Sequence, residues 1–583
     1  ISASTFTNIV VFLPLIYIGG LVGQFTQPVA VTVTVTLLAS LLVAVTVIPV
    51  FISSYITQSV ALKEMRKKYW FTGIRDFYER ILRKWILPKR GLVIGIAIFL
   101  FIASIPLIKV INTEFIPPMD ASNAVIQVEL PMGTNLKETE HYVNQIIDIA
   151  SPYPEVERVM AQGGSAGGAV GGESYIATVT INLVDANKRE RSADEIVNDI
   201  LSKVPKYEGG VVKSMDLVNV AVLGGAGKPV EISIFGNDLQ ELNLVANMVE
   251  QELLKIRGIT NTEISLKKAK PELRVHINRA KAAYYGFTPV QIQRELQMAF
   301  QGVTASNLRL SGDEYNLILK ADTTYLKEDI EKLQYFPLLT VAGTIVPLKE
   351  VADLVYDYGL VRINRENQSR VVKVLADIEG RTTNEVFSDI RSMLSNLSLP
   401  EGFSMQLEGE FEQIQDMMKN LGISIIAAIL LIYMVLAAQF ESFKDPFVVL
   451  FSIPLSFIGV ILALLVTGTS ISIPSLLGVL ILVGVTVNQA IVMVTFYKEL
   501  RVQGMEPFEA IVRGSVIRIR AIFITNLTTI LGLIPMALSG HTEGGAIRAP
   551  LAISIIGGLI ASTFLSLLVI PVIYSYFEKI RVK

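Results

Sequence analysis

Apolar and polar positions segregate along this chain over tens of residues rather than within single turns. Eight uncharged apolar runs, residues 5–22, 29–53, 92–108, 421–438, 447–466, 475–497, 521–538 and 551–576, are each long enough to cross a bilayer as a helix. They cluster at the two ends. Between the third and fourth lies a polar stretch of about 300 residues, 109–420. There the pattern changes to short alternating strands and amphipathic helices: strands at 124–130, 156–161, 175–183 and 211–215, with helices at 136–150 and 193–204. That order predicts a split βαβ unit of the ferredoxin-like type. A second unit runs from a strand at 230–235 through a helix at 239–256 to a strand at 260–264. It resumes at 371–376, 384–394 and 403–407, interrupted by an insert with strands at 273–277 and 315–320.

The fold class expected is an α-helical integral membrane protein with an α+β extracytoplasmic domain. Its parts are two spans in 1–57, a cytoplasmic amphipathic helix in 58–90, a span at 91–109, a first outer subdomain at 110–228, a second at 229–266 and 366–412, an inserted domain at 267–365, and five spans in 413–583. Orientation follows from the basic residues. Residues 63–90 hold ten Lys or Arg against three acids, which places them inside. Trp70, Phe71, Ile74, Phe77, Tyr78, Ile81 and Leu82 recur at helical spacing there, predicting a helix lying on the inner membrane surface.

Composition narrows the function. Of 583 residues 51% are hydrophobic and 18% charged, with a net charge of −2 and no cysteine. A soluble enzyme carries about 25% charged residues, and a nucleic-acid binder carries a basic excess that is absent here. Thiolate metal sites and disulfides are excluded. Two glycine-rich stretches, 163–172 and 224–228, lack the Lys-Ser/Thr ending of a phosphate loop. They read as loops, one of them at the mouth of a cleft.

The first two spans resemble the last two. Pro14, Pro28 and Pro49 recur as Pro535, Pro550 and Pro571, at an offset of 521 to 522 residues. Such repeats mark pseudo-symmetric halves in transporters, so the chain reads as the C-terminal part of a protein about twice that long. Polar atoms inside the spans are few. Asn488 and Gln489 sit in the middle of 475–497, and Thr525, Thr528 and Thr529 recur at i, i+3, i+4 beside Asn526, two turns beyond Arg518. These could line a polar path or join helices by hydrogen bonds. No Asp or Glu lies inside any of the eight runs, so an ion-binding carboxylate would have to come from elsewhere.

Several stretches together carry a family resemblance. Residues 437–443 (AAQFESF), 482–488 (LVGVTVN), Arg518-Ile519-Arg520 leading to Thr525, 114–120 (EFIPPMD) and 130–134 (LPMGT) resemble the resistance-nodulation-division (RND) efflux permeases of the acriflavine-resistance type. The resemblance implies a trimeric, multi-pass bacterial inner-membrane antiporter with a large periplasmic domain. It would export small amphipathic compounds against inward proton flow, with a periplasmic adaptor and an outer-membrane channel as partners and no cofactor beyond the proton gradient. It further implies a proton relay at Asn488, Arg518, Thr525 and Thr529, facing paired aspartates on a preceding span. A substrate path would pass Met160, Gln162, Gly163, Gly164, Gly167, Gly168 and Thr178, with two porter subdomains and a docking insert. Asn488 stands where some members have lysine, and Thr178 where an aromatic is expected. Metal-ion export by a related branch is the alternative, and it predicts several methionines converging near Met160. A membrane sensor or a protein-translocation accessory are further alternatives; the longest inner segment is too short for a signalling domain.

Overall fold

The computed structural model describes residues 2–55, 72–117, 120, 122–164, 173–215, 228–266, 270–310, 313–322, 330–340, 343–359, 363–540, 542 and 544–578. Residues 1–130, 136–265 and 364–583 form one compact unit, and residues 131–135 with 266–363 form another.

In the first unit, α1 (Ser2–Ile16) and α2 (Gly20–Tyr55) precede a short helix α3 (Thr72–Ile81) and α4 (Arg90–Ser104). After the outer region come α11 (Glu410–Phe440), α12 (Asp445–Leu450), α13 (Ser452–Thr467), α14 (Ile473–Val502), α15 (Pro507–Ala537) and α16 (Gly545–Phe577), where α5 to α10 belong to the outer parts described below. Among the described residues seven helices are long and apolar enough to cross a membrane; α1, at 15 residues, is the shorter apolar helix that accompanies them. Termini follow local chemistry. Gly468 takes a left-handed φ of 67° to close α13, and a Ser472–Ser475 capping box with Pro474 opens α14.

Burial identifies the centre of the bundle. The apolar window of α14 is 78% buried and that of α2 0%. Small residues allow the closest approach, as Gly459 and Ala463 on α13 meet Gly557 and Ala561 on α16. A Cβ on Gly557 would stand 2.6 Å from the Gly459 carbonyl oxygen, so these two helices touch backbone to backbone. The proline repeat keeps its place in the elements. Pro14 and Pro535 lie near the ends of α1 and α15, and Pro28/Pro49 and Pro550/Pro571 lie within α2 and α16.

The helix expected on the inner surface is found at α3, while its first residues, Tyr69 to Phe71, lie outside the described residues. Part of it packs on the bundle rather than resting in lipid. Tyr78, Leu82 and Ile86 are buried, the Tyr78 hydroxyl donates to the Leu567 carbonyl at 2.7 Å, and Arg83 clasps Glu509 with two bonds of 2.5 and 2.7 Å. Phe77 and Trp85 remain exposed.

The outer part of this unit contains two sheets of the same topology. The first comprises β1 (Asn123–Glu129), α5 (Leu136–Ala150), β2 (Val156–Gly163), β3 (Ile176–Leu183), α6 (Ala193–Lys203) and β4 (Val211–Met215), in the order β2-β3-β1-β4 with every pair antiparallel. The second has β5 (Val230–Gly236), α7 (Leu239–Leu253) and β6 (Ile259–Ile264), then β13 (Arg365–Glu366), β14 (Ser369–Ile378), α10 (Thr383–Asn396) and β15 (Ser404–Gly409). Its four long strands run β6-β14-β5-β15, the same order again. In both sheets a strand returning through a helix skips one place, as a split βαβ unit requires. Alternate residues such as Ile126, Val179, Ile232 and Val374 are fully buried.

The other compact unit holds a ribbon of β7 (Lys270–Ile277) and β12 (Ala352–Gly359), helices α8 (Arg279–Tyr284) and α9 (Pro289–Phe300), a hairpin of β8 (Val303–Leu310) and β9 (Asp313–Leu319), and the pair β10 (Pro337–Leu339) and β11 (Ile345–Pro347). Phe287, Ile292, Leu338, Leu348 and Val351 form its core, and every residue of the hairpin strands is exposed.

Candidate functional site

Three membrane helices each contribute one buried polar side chain to a continuous chain of hydrogen bonds. Gln489 on α14 donates through Nε2 to Asn526 Oδ1 on α15. Asn526 donates through Nδ2 to Thr563 Oγ1 on α16 at 2.5 Å, and that hydroxyl donates to the Leu559 carbonyl at 2.5 Å. Helical period sets this arrangement. Ile519, Ile522 and Asn526, at i, i+3 and i+7, form the buried stripe of α15. In hydrocarbon an amide must find partners, and here two of them find each other. The Gln489 Oε1 atom is buried without a hydrogen-bond partner among the described residues, as are Asn8 Oδ1 on α1 and Arg518 Nε.

The residues expected to form a relay take different positions. Asn488 is half-buried, one residue from Gln489, and Arg518 is half-buried with its guanidinium 4.4 Å over the ring of Phe496. Thr525 is exposed and Thr529 half-buried; Thr528 and Thr529 donate to the carbonyls of Ile524 and Thr525 at 2.8 and 3.0 Å. These two hydroxyls therefore bond their own helix, and the inward member of the group is Asn526. One participant went unflagged by sequence, Thr563.

Of the expected path residues, Met160, Gln162, Gly163 and Thr178 lie on the first sheet. Register places Gln162, Thr178, Gln127 and Lys213 in one row across β2, β3, β1 and β4, and Met160, Thr180, Val125 and Met215 in the next. Met160 and Gln162 are exposed on the edge strand and Thr178 is half-buried. Met160 and Met215 stand three strand spacings apart, roughly 14 Å, too far to hold one ion together. Gly163 ends β2, and Gly164 turns away with φ 78° while its N–H bonds the Ile176 carbonyl at 3.0 Å. Gly167 and Gly168 lie outside the described residues.

A polar junction ties the second sheet to the membrane helices. The segment after α4 pairs with the loop between α13 and α14 like a fragment of parallel sheet: Thr113 opposes Ile471, the Glu114 N–H donates to the Ile471 carbonyl at 2.9 Å, and the Ile471 N–H donates to that of Asn112 at 2.8 Å. Glu114 accepts from Ser470 Oγ at 2.7 Å and from Asn112 Nδ2 at 2.8 Å. Asn112 Oδ1 accepts from the Thr383 N–H at 3.2 Å, Asn384 Nδ2 donates to Thr113 Oγ1 at 3.0 Å, and Glu410 accepts from the Phe115 N–H at 3.2 Å. The loop leading into α14, the helix that carries Asn488 and Gln489, is thus tied through residues 112–115 to α10 and to the start of α11.

Long apolar helices with neutral amides among them, tied by such a junction to the second of two split βαβ units, define a multi-pass membrane protein. Sequence comparison makes the class specific: the chain belongs to the AcrB/AcrD/AcrF family, which it matches over residues 1–578. That family consists of RND efflux permeases, which are inner-membrane transporters and not enzymes. The chain is 28% identical to the cation efflux system protein CzcA of Alcaligenes sp. (strain CT14), over 97% of this chain and 54% of that protein. It is 28% identical to the cobalt-zinc-cadmium resistance protein CzcA of Cupriavidus metallidurans, with the same coverage, and 26% identical to the swarming motility protein SwrC of Bacillus subtilis, over 100% of this chain and 55% of that protein. It therefore spans about half the length of the curated relatives it matches. A crystal structure of a heavy metal efflux pump superposes with a TM-score of 0.82 at 24% identity, covering 99% of this chain and 58% of that one, and so shares the fold.

Proposed function

We propose that the full-length protein containing this chain is a proton-driven exporter of the inner membrane. The observation that carries this reading is the buried chain Gln489–Asn526–Thr563, flanked by Arg518 and Asn488, on three helices that pack against one another. Unpartnered polar atoms in hydrocarbon are costly and mark ion pathways. Asn488, Arg518, Thr525 and Thr529 would respond to a carboxylate supplied outside these spans, with the proton gradient as the only energy source. The two split βαβ units would act as periplasmic porter subdomains and the 266–363 unit as a docking domain. A homotrimer with a periplasmic adaptor and an outer-membrane channel would complete the system.

Metal cations are the substrate class to test first, because two of the relatives above are named as cation or cobalt-zinc-cadmium pumps. Small amphipathic compounds are the second reading. It is favoured by donor chemistry, since among the described residues no three His, Asp or Glu side chains are grouped to hold a metal and Met160 and Met215 lie on opposite edges of their sheet. The test expresses the full-length protein in cells depleted of other exporters. It measures accumulated zinc, cobalt and cadmium together with a panel of amphipathic dyes, with and without a protonophore. Lower accumulation of one class, abolished by the protonophore and by Arg518→Ala, is expected. Unchanged accumulation across both classes would sink the exporter reading.

A further inference from the structure

Helix α10 and the first turns of α11 leave between them an open groove of about 690 Å³. Two cations line it, Arg391 and Lys419, and neither has a carboxylate within ion-pair distance among the described residues. Arg391 is held over an aromatic floor. Its guanidinium lies 5.0 Å above the ring of Phe411, which meets Phe387 edge to face at 4.8 Å. The groove has one carboxylate, Asp416. Arg391 and Lys419 against Asp416 leave a formal charge of +1, which one phosphodiester would neutralise.

The groove also has a direction. Lys419 stands two residues before Leu421, where the uncharged run of α11 begins, so it lies at the boundary between water and hydrocarbon. Below it on the same helical face follow Ile423, Ile426, Leu430 and Met434, spaced by four, three, four and four residues and 57%, 61%, 59% and 57% exposed. From Ile423 to Met434 the stripe is about 16 Å long, close to the roughly 15 Å of one leaflet. A soluble anion would use only the groove, and a buried helix would use only the stripe. An amphiphile with one phosphate and a long apolar chain uses both.

We infer that this groove seats the headgroup of one anionic phospholipid, its phosphodiester between Arg391 and Lys419 and one acyl chain along the Ile423–Met434 stripe. The inference rests on the membrane reading of α11 and not on the transport reading, so neither depends on the other's test. A hydroxyl-bearing headgroup suits the site, because Asp416 and Gln415 both offer oxygen acceptors.

Purified full-length protein in detergent is titrated with phosphatidylglycerol or with phosphatidylcholine of identical chains, and retained lipid is counted by native mass spectrometry. One phosphatidylglycerol per chain is expected. Arg391→Gln with Lys419→Gln should weaken its retention roughly twentyfold, about fivefold for each lost charge, whereas Arg391→Lys with Lys419→Arg should preserve it. Both positions are exposed, so an unchanged unfolding profile keeps the comparison interpretable. Equal retention of the two lipids, or equal retention by the neutralised variant, overturns the inference. So does displacement of the lipid by equimolar inorganic phosphate, which would make the groove a free-anion site. Loss of self-association in the neutralised variant without a change in lipid count would make it a contact between copies, and equally overturns it.

Discussion

Replacing Asn526 by leucine keeps the volume of the side chain and removes the middle of the hydrogen-bond chain. Asn526 accepts from Gln489 and donates to Thr563, so two interhelical bonds are lost at once. Such bonds in membranes contribute about 0.6 kcal/mol on average and up to about 1.7, because helices separated in lipid also find partners. The expected cost is therefore about 1–3 kcal/mol. Gln489→Leu removes one of the two bonds and should cost about 0.6–1.7 kcal/mol. In the double variant the shared bond is lost only once, so its cost should match that of Asn526→Leu alone, with a coupling energy of about 0.6–1.7 kcal/mol. The assay is an unfolding equilibrium of the full-length protein in mixed micelles, followed through the four corners of the cycle. Additive costs, with coupling below about 0.3 kcal/mol, would refute the Gln489–Asn526 contact and with it the buried chain.

Two further outcomes test other parts of the structure. Gly557→Leu inserts a side chain where α16 meets the backbone of α13 and should cost about 1–3 kcal/mol in the same assay, while Gly422→Leu, with open space around its Cα, should cost little; equal effects would contradict the packing. In the first sheet unit, the Arg191 guanidinium, bonded at 2.7 Å, holds Glu155 below the usual carboxylate range, and the Tyr153 hydroxyl and Lys203 do the same for Asp199. Depressed carboxylates stabilise the fold above their unfolded values and lose that contribution as pH falls through the folded ones. Hydrogen-exchange protection factors of this unit, referred to the intrinsic exchange rate at each pH, should therefore fall between about pH 5 and pH 2, and less so in Arg191→Gln; an identical pH slope in both proteins would count against the network.

Different parts of the molecule were legible to different degrees, for physical reasons. Spans and sheets announce themselves because a charge-free run of 18 residues and a strand alternating like β3 leave few other ways to satisfy backbone and side chain. Which face of a membrane helix turns inward is not written so plainly. Lipid is as apolar as a protein core, so the hydrophobic pattern of α15 could not choose between Thr525 and Asn526, and the fold turned the amide in. The α3 segment misled in the opposite way: Phe77 and Tyr78 suit a membrane surface equally, yet only the buried hydroxyl of Tyr78 has a carbonyl to meet. The junction below the second sheet was invisible, since its members are ordinary Asn, Glu, Ser and Thr residues scattered between 112 and 473.

That scatter gives the junction a history as well as a geometry. Glu114 and Ser470 are bonded across 356 residues, and at about 5–20 residues per second of synthesis roughly 20–70 s separate their arrival. Through that interval Asn112 to Phe115 stand with backbone groups facing a neighbour not yet made, while the outer sheets fold above them. An open strand edge of this kind invites wrong pairings. The tie closes only when the turn before α14 is threaded into place, so the second sheet acquires its fixed footing only after residues 470 and 471 have been made.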